Sequence, residues 1–192
     1  MKTELLLSIH EEPIQLLNRT QLKNLKESIM NKMNDAEMNT VFVLDMSYIG
    51  DTNGSGIDEV IAKPLKWLIS EFMEKKVEKY IYLVNLSPEE EHDHAYNINS
   101  TLNIEQLCIM AKAEDSFSIL GYLGGSKGSL KEILEFVYMR KEVTARDVVD
   151  AFDKQINTAS TQLSKLYEKR LIAREEIQMP EGGRQFVYKS LF

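Results

Sequence analysis

Residues 157–176 read "NTASTQLSKLYEKRLIAREE", and the fold of the C-terminal part depends on where this stretch is divided. Ala159, Leu163, Leu166 and Tyr167 recur at helical spacing, which predicts a helix from about Thr158 with an inward apolar stripe. The positions between them, Ser160, Thr161, Gln162, Ser164, Lys165, Glu168 and Lys169, are expected to face outward. Beyond them the period changes. "RLIAREEIQ" and "RQFVYKSLF" read as strands, joined by "MPEGG", whose Pro180, Gly182 and Gly183 are hairpin-loop chemistry.

Two more helices lie upstream. Ser129 followed by Glu132 has the spacing of a capping box, and Leu130, Ile133, Leu134, Val137 and Tyr138 continue at helical intervals to about Met139. Thr144, with Asp147 three residues on, opens the next, with Val148, Val149, Ala151 and Phe152 on its apolar side. Before both stands "GYLGGSKGS", residues 121–129, where four glycines in nine residues predict a linker. It is not a phosphate-binding loop, because Lys127 is followed by Gly128 where Ser or Thr is needed.

Three helices followed by a hairpin resemble the winged helix-turn-helix domain of bacterial transcriptional regulators. The likeness covers about residues 129–192 and is clearest in "VTARDVVDAF", "TASTQLSKLYEKRLI" and "GGRQFVYKSL". The resemblance implies that the third helix enters the major groove of double-stranded DNA, with Ser160, Thr161, Gln162 and Lys165 facing bases. Thr158, Lys169 and the wing-tip Arg184 would contact phosphate or the minor groove. It also implies a homodimer that reads two half-sites. Winged helices dock proteins too, and Glu168, Glu175 and Glu176 would repel phosphate if they faced it, so a protein-interaction switch is the alternative.

Net charge bears on this choice. The chain carries −7 overall, with a pI near 5.1. Residues 140–192 hold 10 Lys/Arg against 8 Asp/Glu, and residues 1–139 hold 13 against 22. The acidity belongs to the front, and DNA affinity depends on local cations rather than on total charge.

The front alternates strand and helix. "ELLLSI", "TVFVLDMS" and "KYIYLVNL" read as strands, the second as a buried central one. Leu22, Leu25, Ile29 and Met33 mark a helix after a Thr20 cap. "YIGDTNGSG" reads as a loop into the helical "IDEVIAKPLKWLISEFMEKK", where Pro64 requires either a kink or a fresh start. Ser87, Pro88 and Glu90 supply the start signals of another helix, and "QLCIMAKA" and "FSILGYL" flank "EDS" as a hairpin.

"VLDMSYIGDTNGSGIDEVI" resembles a STAS domain, the module of bacterial anti-anti-sigma factors, through Asp45, Ser47, Ser55, Asp58 and Glu59. The likeness spans about residues 1–122 and implies a sensing or protein-interaction domain switched by phosphorylation at the loop-to-helix junction. A gapless match puts Gly54 at the acceptor position, which leaves Ser55 or, with a two-residue shift, Thr52 as phosphoacceptor.

Nothing in the sequence suggests catalysis or a cofactor. In "EEEHDH", His92, Asp93 and His94 lie too far apart around a helix to share a metal, and a solvated acidic helix start is expected. His10 lacks a catalytic partner, Asp58 and Glu59 read as helix-start charges, and Cys108, among "LCIM", is expected in the core. No apolar run nears the roughly 20 residues of a membrane span, and "MKTELLLSIH" is too short for a signal peptide. The expectation is a cytoplasmic, non-enzymatic α/β protein: a STAS-like mixed sheet with helices (1–122), a linker (123–128) and a winged helix (129–192).

Overall fold

The structure, a computed structural model, describes residues 3–8, 13–87, 94–124, 129–180 and 182–192. It is of mixed α/β class. The chain divides into two compact units, Met1–Leu123 and Gly124–Phe192. Linker residues 125–128, with Lys127 and Gly128, lie outside the described residues, as do His10, Pro88, Glu90, His92 and Asp93.

The first unit is built on a five-stranded sheet in the order β1 (Thr3–Ser8), β3 (Thr40–Asp45), β5 (Tyr80–Val84), β6 (Cys108–Lys112) and β7 (Phe117–Gly121). The first four strands are parallel, and β7 returns antiparallel as the expected hairpin. Among the described residues, three long helices lie in the crossovers: α1 (Lys23–Asp35), α3 (Lys63–Lys75) and α4 (His94–Ile104). Since the sheet grows in one direction and such crossovers are right-handed, all three fall on one face. Phe42, Leu44, Ile81, Leu83 and Ile109 alternate toward that face and form a core with Ile29, Met33, Leu65, Leu68, Ile98 and Leu102. The residues between them on the central strands, Val41, Val43, Tyr80 and Tyr82, are buried as well, as expected of β3. Cys108 is buried.

Several local expectations are corrected. "YIGDTNGSG" holds a short strand, β4 (Ile49–Thr52), which pairs in parallel with β2 (Ile14–Leu16). Leu22, not Thr20, is the N-cap of α1, with no side-chain cap bond; the Thr20 N–H instead donates to Asn18 Oδ1 at 3.0 Å. The helix start expected at Ser87, Pro88 and Glu90 runs outside the described residues; Ser87 itself donates its N–H to Nδ1 of His94, at 3.3 Å. His94 itself is fully buried rather than solvated, because its Nε2 reaches the Gly50 carbonyl at 2.7 Å and ties α4 to β4.

Of the two expected outcomes at Pro64, the fresh start is the one found, with a π-helical turn joining the new helix to the one before it. A short α2 (Gly54–Ile57) passes into a π-helical turn, Asp58–Ala62, and α3 begins with Pro64 in its first turn. Proline lacks the N–H that would continue the i→i−4 ladder. The ladder slips to i→i−5 ahead of it, with the Lys63 N–H reaching the Asp58 carbonyl.

That turn carries Glu59, which is 3% exposed and forms ion pairs with Lys26 of α1 at 2.8 Å, Arg19 at 3.4 Å and Lys63. Burial pushes the Glu59 carboxyl up, but hydrogen bonds from Lys26 and Lys63 outweigh it and hold the group below its ordinary 4.5. A depressed carboxyl contributes stability above its unfolded value and loses it as pH falls through the folded one. Stability measured by denaturant should therefore fall on acidification below about 4.5. Glu59→Gln should show a shallower decline, and identical pH profiles would refute the assignment.

The second unit runs α5 (Ser129–Arg140), β8 (Glu142–Val143), α6 (Ala145–Phe152), α7 (Ile156–Glu168), β9 (Ala173–Gln178) and β10 (Arg184–Lys189). Its antiparallel sheet has the order β8-β10-β9. Thr144 and Asp147 form the expected capping box. Ile133, Leu134, Val137, Val148, Ala159, Leu163, Leu166 and Ile172 are each fully buried, and a buried aliphatic side chain is worth about 1.5–3 kcal/mol. The Tyr138 hydroxyl donates to the Leu171 carbonyl at 2.8 Å, which locks α5 to the chain leaving α7.

Candidate functional site

A three-residue turn, with Asp153 at φ 49°, separates α6 from α7. On α7, Thr158, Thr161, Lys165 and Glu168 are exposed and recur every three or four residues, so they form one outward stripe. Thr161 Oγ1 donates to the Asn157 carbonyl at 2.8 Å, which leaves its methyl and the Lys165 ammonium toward solvent. Ser160 is half-buried on the flank of the stripe. Lys169 is the half-buried C-cap residue, with its N–H on the Lys165 carbonyl at 3.1 Å.

Gln162 does not join the stripe. It stands three residues after Ala159 and four before Leu166, both buried, so it faces α5. There its Nε2 donates to Ser129 Oγ at 2.6 Å, and its Oε1 is buried with no partner among the described residues. The outward, base-facing assignment for Gln162 is corrected to a tie between helices. Gln162→Ala should cost about 1 kcal/mol of stability, the worth of one net hydrogen bond, and leave any DNA sequence preference unchanged. An altered preference in selection from a random DNA pool would restore the first assignment.

The hairpin of β9 and β10 forms one wall of the site. Its turn is closed by the Gly182 N–H on the Met179 carbonyl at 3.0 Å and the Met179 N–H on the Gly183 carbonyl at 3.1 Å. Gly182 and Gly183 have φ of 91° and 93°, a conformation that favours glycine. Arg184 follows, exposed and paired with Glu176 at 3.0 Å. Lys189 pairs with Glu175 at 2.7 Å and Glu142 at 3.0 Å. Its hydrogen bond to Glu175 holds that carboxyl below its ordinary range and its own ammonium above. Two of the three acids that threatened to repel phosphate, Glu175 and Glu176, are thus paired with cations of the same sheet, whereas Glu168 stays exposed on α7. At the hairpin base, Arg174 stacks 4.2 Å from the Tyr167 ring and 4.3 Å from that of Phe186, which fixes β9 against α7.

A cleft of about 550 Å³ runs between the start of α6, the flank of α7 and the hairpin, with Arg146, Ser160, Ser164, Arg184 and Tyr188 on its walls. Ser164 Oγ lies 3.3 Å from the Tyr188 hydroxyl across it. Arg146 lines the cleft, and the sequence reading did not single it out. A cation in the first turn of a helix opposes the macrodipole, and that local disagreement was the available signal.

In the first unit the two phosphoacceptor candidates part. Thr52 is buried and accepts from Asn97 Nδ2 on both its carbonyl and its hydroxyl, at 3.1 Å each, so its oxygen is withdrawn from a kinase. Ser55 is exposed at the second position of α2, whose N-cap Asn53 accepts the Gly56 N–H. Asp45 accepts from the Ser47 N–H at 2.9 Å, from the Ser47 hydroxyl at 2.5 Å and from Asn85 Nδ2 at 2.8 Å. Burial raises its carboxyl, and these bonds outweigh that and hold it low. Asp58 pairs with Arg19 at 2.7 Å. No group of three or more His, Cys, Asp or Glu is placed to hold a metal among the described residues. No described helix is long and apolar enough to cross a membrane.

No family model matches the chain, and no curated protein matches it. Among solved structures, the chain is similar to a possible transcriptional regulator from Methanosarcina mazei Go1, at 17% identity and a TM-score of 0.34. That match covers 36% of this chain and 59% of the other, less than two thirds of its length.

Proposed function

We propose that Gly124–Phe192 is a winged helix-turn-helix that binds double-stranded DNA, and that the chain is a non-enzymatic, cytoplasmic transcriptional regulator. The observation that carries this reading is the cleft shared by α6, α7 and the β9–β10 hairpin, with Arg146 and Arg184 on its walls beside the Thr158, Thr161 and Lys165 stripe. The stripe enters the major groove, Thr161 and Lys165 reach base edges, and Arg146 and Arg184 contact phosphates. The first unit is the regulatory or interaction domain, STAS-like in its segment from Asp45 to Glu59, with Ser55 as the accessible acceptor. A homodimer sets two α7 helices on two half-sites.

Binding of duplex DNA at several salt concentrations tests the reading. Affinity should fall linearly on logarithmic axes, since each neutralised phosphate releases counterions. Arg184→Ala should weaken all sequences about equally and lower the slope by about one. Its pair with Glu176 is a small obstacle, because such a surface pair is worth at most about 1 kcal/mol. No binding at low salt would replace this reading with the second one, a protein-docking module. The exposed Ile177, at 41%, and Met179, at 42%, on the hairpin favour that alternative.

A further inference from the structure

The cleft between α6, α7 and the hairpin holds features that phosphate contact leaves unused. Ile156, Met179 and Phe186 line it, and they are 51%, 42% and 42% exposed. A sugar-phosphate backbone offers such side chains little, and apolar surface clustered in a concavity is a mark of ligand binding. Beside them stands Arg146, exposed and without an ion-pair partner among the described residues, whereas Arg184 is engaged by Glu176. The volume, about 550 Å³, falls within the roughly 300–1,000 Å³ of small-molecule sites. The lining thus brings together apolar side chains, two guanidinium groups and the Ser160 and Ser164 hydroxyls.

We propose that this cleft binds a small amphipathic organic anion, a carboxylate carried on an aliphatic or aromatic body. The carboxylate meets the Arg146 guanidinium, whose planar fork matches its two oxygens. The body lies against Ile156, Met179 and Phe186, and the hydroxyls of Ser160 and Ser164 donate to the remaining lone pairs. Because Arg146 and Arg184 are also the proposed phosphate contacts, the bound anion displaces DNA. This second half rests on the DNA-binding reading, and the first half does not.

The test is a titration of octanoate into the full chain carrying labelled Ile and Met methyl groups, with 1-octanol as the neutral comparison. Saturable shifts at Ile156 and Met179 are expected, with octanol binding at least about tenfold more weakly. Arg146→Ala should weaken octanoate at least about tenfold, with methyl signals outside the cleft unmoved, and Lys131→Ala on α5 should change nothing. Equal binding of octanol and octanoate, an unchanged Arg146→Ala variant or the lack of saturation overturns the site. Displacement of bound duplex DNA by octanoate supports the regulatory half. Octanoate binding to a chain that binds no duplex at low salt overturns only that half and leaves the site standing.

Discussion

Gly56→Ala is expected to lower the stability of the chain by at least about 3 kcal/mol, at or beyond the upper end of ordinary overpacking. A Cβ at this position would lie 1.9 Å from the Leu16 carbonyl oxygen and 2.3 Å from its carbon. Both are backbone atoms, so no rotamer change relieves the clash. Either α2 lifts away from β2 or the β2–β4 pair comes apart. The Asn53 N–H bond to that same Leu16 carbonyl, 3.0 Å long, would go with them. Gly54→Ala is the control: its Cβ would meet only Thr101 Oγ1, at 3.4 Å. At that site the loss of unfolded-state freedom should leave the chain unchanged or about 0.4–1 kcal/mol more stable. Equilibrium urea unfolding of the two variants beside the parent checks both. Equal stabilities would mean that α2 does not cross β2 this closely.

The "NGSG" stretch shows where sequence reading stops. Its glycines correctly announce a change of chain direction, but nothing local says that Gly56 passes over Leu16, because the partner is far upstream. His94 fails for the same reason: local pattern assigns it to a solvated helix start, whereas the Gly50 carbonyl on another element buries it. Glu59 does open a helical turn as expected, but its burial against Lys26 of α1 is again set by a distant partner. The strands β2 and β4 escape because three and four residues are too short to establish an alternation. What was legible is what local physics determines. The Thr144–Asp147 box, the apolar stripe of α7 and the Gly182–Gly183 turn are satisfied within a few residues of themselves. Gln162 marks the border: periodicity excludes it from the centre of the buried stripe, but only the presence of Ser129 decides which helix its amide meets.

Lys165→Glu is expected to reduce duplex DNA affinity at least about thirtyfold at moderate salt, the largest effect of any single change on the α7 stripe. The substitution removes a cation from the middle of the stripe and places a carboxylate three residues before Glu168, which is exposed on the same side. Two acids would then face the phosphates, and like-charge juxtaposition costs several kcal/mol, each 1.4 kcal/mol being tenfold in affinity. Lys165→Gln separates the contributions, since it loses the attraction without adding repulsion and should retain part of the affinity. The fold should tolerate both. Lys165 is exposed, and the bonds that hold α7, from Gln162 to Ser129 and between Ser164 and Tyr188, lie on other sides of the helix. A thermal melt that matches the parent confirms that only the surface has changed. If Lys165→Glu binds duplex as the parent does, α7 is not the reading helix. The exposed apolar residues of the hairpin would then be the better guide to what this unit meets.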